Sequence, residues 1–427
     1  MKHKKAVILV ASVLGTLLVV LVAVAVYYVV VARRTVDKVT TPEGDTIVLA
    51  VYVLQEDPAQ RIEDTKDYPY GVNRLPSDED SMQRMTQDLQ KILGKTPAIT
   101  EYENQFSLMD SLQSQDVRAV ILNEAYVGSL AEVEGYKWVE SGIRRIESYE
   151  FEQVPPQDQT SPQEESDPSG KVPDAFVLYI SGIDTYGGIT ARSRSDVNIL
   201  AVVNMDAGTI LMVSTPRDYY VDFSVTGGQK DKLTHAGIYG VEASMDALQR
   251  LYDVQIDYYL KVNFTGFVDI IDALGGIEVY SEYDFTVENI RDYQKGYNQV
   301  NGIEALAFAR ERYSFASGDY QRGKNQMEVI RAVIQKCTST AVLKNFRQTM
   351  DGIAGSFESN MPSSQIYSLA GRQLNRGTQW EITTYSVEGT NSYQPTFSMP
   401  GRDLFVILPD SASVNQAKSK IQAALAA

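Results

Sequence analysis

The chain's 427 residues suffice for two domains and an anchor, and its 44% hydrophobic, 22% charged and 10% aromatic content is that of folded protein. A net charge of −16 argues against nucleic acid as a general partner, which needs a basic face, but leaves room for one phosphate pocket lined by local arginines. A lone cysteine (Cys337) and two histidines (His3, His235) exclude an intrachain disulfide, a cysteine cluster and a histidine-based zinc site.

Ala6–Ala32 carries no charged residue. As a helix it spans about 40 Å, more than the ~30 Å hydrocarbon core of a bilayer. It is too long for a signal-peptide core and lacks a cleavage signature, so it reads as an uncleaved single-pass anchor. Lys2, Lys4 and Lys5 precede it and Arg33, Arg34 and Lys38 follow, so charge alone nearly ties on orientation. A five-residue head (1–5) is easily left in the cytoplasm, which places the main domains outside the cell.

Residues 45–149 read as a small α/β accessory domain: TIVLAVYVL (46–54) and VRAVILN (117–123) are strand-like, and 77–94 has a Ser/Asp cap and helical spacing. No reactive constellation stands out in it. Residues 150–173, rich in Pro, Gln, Ser and acid, read as a linker.

From 174 to 427 strands and helices interleave. FVLYISGID, DVNILAVVN and TILMVST are near-continuous apolar strands, as expected when both sheet faces are covered. DYYLKVNF, IEVYSE and QWEITTYSV add strands; 234–253, 265–274, 301–310, 325–340 and 363–375 have helical spacing. The class is α/β: a three-layer α/β/α domain around a mixed sheet, preceded by the accessory domain and the transmembrane helix.

Charges in this third region fall at element ends, where α/β sheets form ligand crevices. Asp184 closes the first strand. Arg192, Arg194 and Asp196 alternate, so an extended strand would put all three on one face, which brings Arg192 among the substrate-binding candidates. Arg217 and Asp218 follow the third strand. Taken singly, each of these is better read as a solvated cap or surface ion pair. Arg310 and Arg312 lie about 200° apart on a helix. They can share a pocket only if the helix ends near Arg310 and Arg312 lies in extended chain; otherwise one faces inward and the other solvent. Asp319, Arg322 and Lys324 follow.

Several patterns are decoys. Gly318–Lys324 spells the start of a nucleotide loop, but Asn325 replaces the Ser/Thr that would hold magnesium, and the segment follows a helix. The Asn263-Phe264-Thr265 sequon sits at a predicted strand end. A Ser-His-Asp triad could use only His235, and no G-x-S-x-G supports one. A Cys337/His235 pair is weaker than the reading of Cys337 as part of a core helix.

SGID, RSDVNIL, STPRD, KLTHAG, DYYLKVNFTGFVDIIDALGGIEV, NGIEALAFARER and GDYQRGKNQ occur in the order and spacing of the LytR–CpsA–Psr family. The chain resembles its streptococcal capsule-type members, which carry an extra extracellular domain. The resemblance is close over residues 175–340 and looser to the C-terminus. It implies a transferase that moves a glycan, a capsular polysaccharide or a teichoic-acid-like polymer, from a polyprenyl-diphosphate carrier onto peptidoglycan. Asp184 and Asp196 then match metal ligands for Mg²⁺ (or Mn²⁺). Arg194, Arg217, Arg310, Arg312 and Arg322 match the diphosphate and headgroup ligands, Asp319 an acid that orients them, and Lys232 a weaker substrate contact. Catalysis falls to Asp184, Arg194, Asp196 and Arg217. Where many members have a second Arg after Arg322, this chain has Asn325, with Lys324 the candidate replacement. The helical run FTGFVDIIDALGG reads as plain core or as one wall of a lipid cavity. Alternatives from the same residues are a non-catalytic sensor of lipid-linked precursors and a polyprenyl-diphosphate hydrolase, a reaction that would otherwise be a pyrophosphatase side activity of the transferase. Capsule-assembly proteins are further expected partners.

Overall fold

A computed structural model describes residues 44–75, 78–153, 172–344, 349–350, 352–353 and 355–427, except the side chains of 319 and 344. The head, the anchor (6–32) and most of the linker lie outside these residues. Among the described residues no helix is long and apolar enough to cross a membrane.

The accessory unit is built on a five-stranded sheet: β1 (Thr46–Leu54), β2 (Pro69–Val72), β3 (Ala98–Glu101), β4 (Ala119–Asn123) and β5 (Ile143–Glu152), in the order β3-β2-β4-β1-β5. β1 runs antiparallel to β4 and β5. Helix Glu79–Leu93 buries Met82, Met85, Leu89 and Leu93 at the helical spacing of the sequence and ends on left-handed Gly94 (φ 65°). β5 runs past the expected boundary at 149.

The second unit holds a six-stranded sheet: β6 (Ala175–Ile183), β7 (Ser195–Asn204), β8 (Thr209–Ser214), β9 (Tyr258–Val262), β10 (Phe357–Ser359) and β11 (Glu381–Ser386), ordered β10-β9-β6-β7-β8-β11. The sheet is mixed: β7 is antiparallel to β6 and β8, whereas β9 parallels β6 and β11 parallels β8. Helices cover both faces. Val241–Tyr252 and Ser411–Ala426 pack on Val177, Tyr179, Leu200 and Val202. Asp319–Cys337 and Ser363–Arg376 pack on the other face through Met327, Ile330, Ile366 and Leu369.

The units share contacts. Thr46 bridges to Ala191 in parallel, and its carbonyl accepts from Arg192 N at 2.8 Å. The C-terminal hairpin Gly389–Pro395/Asp403–Pro409 was not foreseen; Met399 from its connecting loop and Leu404 from its second strand enter the core of the accessory unit beside Phe106 and Tyr136. Gln105 Nε2 also donates to Ser398 O at 3.1 Å.

Candidate functional site

Strand direction sets the site. β6 and β8 run one way and β7 the other, so the C-terminal ends of β6 and β8 meet the N-terminal end of β7 on a single edge. Asp184 follows β6, Arg194 and Asp196 open β7, and Arg217 follows β8. Arg194 Nη2 donates to Asp184 Oδ2. Arg217 Nη1 donates to Asp196 Oδ2 at 2.7 Å, and Thr234 Oγ1 to Asp196 Oδ1 at 2.9 Å. Beneath them Lys232 Nζ donates to Asp218 Oδ1 at 2.9 Å, and Asp218 Oδ2 lies 3.7 Å from Arg217 Nε. Arg194 and Arg217 are only 4% and 7% exposed. Buried guanidinium groups ringed by carboxylates present their remaining donors in a fixed fork, the geometry that matches phosphate oxygens.

The carboxylates differ in character. Burial pushes Asp184 up, Asp196 adds to the rise, and Arg194 only partly offsets them. Asp196 is buried too, but Arg217, Arg194 and Arg322 outweigh that cost and hold it far below the usual carboxylate range. Two neighbouring acids in one pocket whose affinities for protons are driven apart mark a site that handles charge. Arg194 thus protects the acidity of Asp184 only in part.

Arg192 does not join the cluster. β7 begins only at Ser195, with an irregularity opposite Gly182/Ile183, so 192–196 is not one extended run. Arg192 Nε donates instead to Asp45 Oδ2 at 3.2 Å. Arg310 is the last residue of helix Gly302–Arg310, and Glu311 is extended (ψ 131°), which frees Arg312 from the helix as a shared pocket required. Arg310 lies over the Phe264 ring at 4.3 Å and acts electrostatically on Asp184. Arg312 lies over Tyr313 at 4.8 Å. Arg322 acts on Asp196 from helix Asp319–Cys337. The side chain of Asp319 lies outside the described residues. Asn325 is buried and donates to Phe308 O at 3.2 Å, tying two helices together, while exposed Lys324 pairs with Glu282 at 3.3 Å.

The decoys resolve as structure. Residues 319–324 are helical, and Asn263 is a buried N-cap accepting from Gly266 N at 2.8 Å. Ser129, His235 and Asp231 do line up, with 3.4 Å from Ser129 Oγ to His235 Nε2 and 2.7 Å from Nδ1 to Asp231. All three are buried, so the row joins the two units and offers no nucleophile to solvent. Burial pushes the Cys337 thiol up to about 11, away from nucleophilic reactivity.

One participant escaped the sequence. Glu132, just past helix Val127–Ala131 of the accessory unit, accepts through Oε1 from Arg217 Nη2 at 3.0 Å and forms an ion pair with Arg194 Nη1 at 3.1 Å. Burial raises its proton affinity, but Arg217 and Arg194 more than offset this and keep it ionised. As for a metal, no group of three or more His, Cys, Asp or Glu among the described residues could hold one. Asp184 and Asp196 are nonetheless hard oxygen donors suited to Mg²⁺, which takes few protein ligands when phosphate and water supply the rest.

The family model for the LytR_cpsA_psr family matches residues 146–424. A Bacillus cereus polyisoprenyl-teichoic acid–peptidoglycan teichoic acid transferase, TagU, is 33% identical over 193 residues, covering 45% of this chain and 62% of that protein. The Bacillus subtilis transferase TagT is 34% identical over 207 residues, covering 46% of this chain and 63% of that protein. The chain thus spans less than two thirds of the length of either relative. The crystal structure of B. subtilis TagV superposes with a TM-score of 0.51 at 25% identity, over 60% of this chain and 99% of that one.

Proposed function

The chain belongs to the LytR–CpsA–Psr family, and on that premise we propose that it is a phosphotransferase moving a glycan from a polyprenyl-diphosphate carrier to a hydroxyl of peptidoglycan. The observation that carries this reading is the buried Arg194–Arg217 pair, interleaved with Asp184 and Asp196 at one sheet edge. The acceptor oxygen bonds to the sugar-side phosphorus as the bond from that phosphorus to the bridging oxygen breaks. The glycan is left in a phosphodiester, polyprenyl phosphate departs, and the hydroxyl proton passes to solvent.

Arg194 and Arg217 hold the diphosphate oxygens in place and offset the charge that grows on the leaving phosphate. Arg310, Arg312 and Arg322 guide the headgroup from the rim, and Lys232 acts from below by positioning Asp218 against Arg217. Asp184 and Asp196 would hold Mg²⁺, which supplies Lewis-acid neutralisation of the diphosphate when bound.

The helix Phe264–Ala273 supports a lipid wall: Phe264, Phe267, Val268 and Ile270 are half-buried, not sealed in core. A capsular or teichoic-acid-like polymer, a single-pass anchor and an outward-facing site complete the reading; the polymer class is supported by the named transferase relatives, the anchor and orientation by the 6–32 apolar run and the short head before it.

The test uses the full chain in detergent micelles with a polyprenyl-diphosphate oligosaccharide, peptidoglycan fragments and Mg²⁺. Matched formation of polyprenyl phosphate and glycan–peptidoglycan phosphodiester is expected, and chelation abolishes both. Glycan phosphate released to water in place of the phosphodiester would make the chain a hydrolase; tight donor binding without turnover would make it a sensor.

A further inference from the structure

The accessory unit reaches the arginine pair through a short, tightly fitted segment. Gly128 lies against the Arg194 guanidinium so closely that an added Cβ would stand 2.7 Å from Nη2. The Ser129–His235–Asp231 row pins the same turn, and Asp231 is itself held by Ser398 N at 2.9 Å. With the turn fixed on both sides, Glu132 projects one carboxylate oxygen between Arg194 and Arg217, at 3.1 and 3.0 Å. A single anionic oxygen held between two guanidinium groups on different strand ends stands where a nonbridging phosphate oxygen would. The arginines are sealed in, but 34% of the Glu132 side chain stays open to solvent. It can therefore leave without disturbing packing.

We propose that Glu132 is a specificity-determining residue, a built-in competitor that reserves Arg194 and Arg217 for a diphosphate and denies them to a monophosphate. The inference rests on the phosphotransferase reading above and deepens it. A tethered carboxylate competes at a high effective concentration, so an anion that needs the space between Arg194 and Arg217 loses affinity in proportion to the fraction of time Glu132 is seated. A monophosphate displaces it while offering a single phosphate group to two arginines already neutralised by carboxylates. A diphosphate keeps its second phosphate group on Arg310 and Arg322 at the rim while Glu132 is seated, so it bears less of that loss than a monophosphate, whose one group must take the place of Glu132. The accessory unit thereby filters the released product, polyprenyl phosphate, from the diphosphate donor.

The experiment measures binding of inorganic pyrophosphate and inorganic phosphate to the full chain in detergent micelles with chelator present. Wild type is compared with Glu132→Gln, Glu132→Asp and Arg217→Ala, alongside melting temperature. Glu132→Gln should bind phosphate roughly tenfold more tightly, the scale of one displaced charge-assisted contact, and narrow the pyrophosphate-to-phosphate preference. Glu132→Asp, one methylene short of bridging both arginines, should shift the preference the same way by less, which keeps the test open if the Gln variant fails to fold. An unchanged or widened preference in the folded variants overturns the proposal, as does weaker binding of both anions. Arg217→Ala separates the two failures: if it leaves pyrophosphate affinity unchanged, the phosphate site itself is wrong. If it abolishes binding while the Glu132 variants match wild type, only the competitor role fails.

Discussion

On one face of the six-stranded sheet, Val177, Tyr179, Leu200, Val202 and Val213 are each no more than 1% exposed beneath helices Val241–Tyr252 and Ser411–Ala426. On the other, Leu178, Ile180 and Val197, which alternate with the first set along β6 and β7, stay half-buried beside sealed Ile199 and Met212 under helices Asp319–Cys337 and Ser363–Arg376. Apolar side chains in both sets gain by leaving water, at about 25 cal/mol per Å². A protein that wanted only stability would close both faces. The half-buried positions lie on β6 and β7, the strands that end at Asp184 and begin beside Arg194, so the contrast teaches where apolar surface has been kept for something other than the chain's own core.

The largest expected effect tests the closed face. Leu200→Ala should cost about 2–5 kcal/mol in urea unfolding, because a sealed site leaves a cavity. A loss near 1 kcal/mol would erase the contrast. Next in size is ligand stabilisation on the open face. A long-chain polyprenyl phosphate at about a hundred times its Kd should stabilise the chain by about 2.7 kcal/mol. Leu369→Trp, which fills that side, should remove this gain while leaving unliganded melting nearly unchanged; equal stabilisation of wild type and variant would place the alkyl chain elsewhere. Leu178→Ala, half-buried, should cost only about 1 kcal/mol by the same unfolding measurement, well short of Leu200→Ala. The smallest effect concerns Cys337, at the end of the helix over the open face. With its thiol pushed up to about 11, it should react with a disulfide reagent at pH 8 far more slowly in the native chain than in the urea-unfolded chain. Equal rates would show that this helix end is loosely held.

Much of this architecture was legible because local pattern and tertiary environment agree. TIVLAVYVL is β1 from Thr46 to Leu54, and the apolar runs of the third region are β6, β7 and β8. The short edge strand Ala98–Glu101 and the hairpin strand Gly389–Pro395 escaped because they are largely exposed and carry no apolar alternation. At the site, Asp184, Arg194, Asp196 and Arg217 fell at strand ends, and strand direction then brought them together. Arg192 pairs with Asp45 instead, because the strand starts only at Ser195 with a register shift beside it, which the alternation of charges does not reveal. Glu132 could not have been found, since nothing in LAEVEG distinguishes it from any solvated acid; its role comes wholly from how one unit docks on the other.

The C-terminal hairpin carries a consequence for the order of events during synthesis. Met399 and Leu404 complete an apolar core whose other members are Ile238 and residues from Ala50 to Val139, the last of which leaves the ribosome about 260 residues before Met399. Until the last part of the chain arrives, Phe106, Tyr126 and Tyr136 lack their covering. The nascent accessory unit therefore waits, partly assembled, for a segment at the opposite end of the polypeptide. Such long sequence separation slows closure and leaves sticky surface uncovered while it lasts. A chain cut short before residue 399 would keep nearly all of its first sheet and still present that open flank to its neighbours.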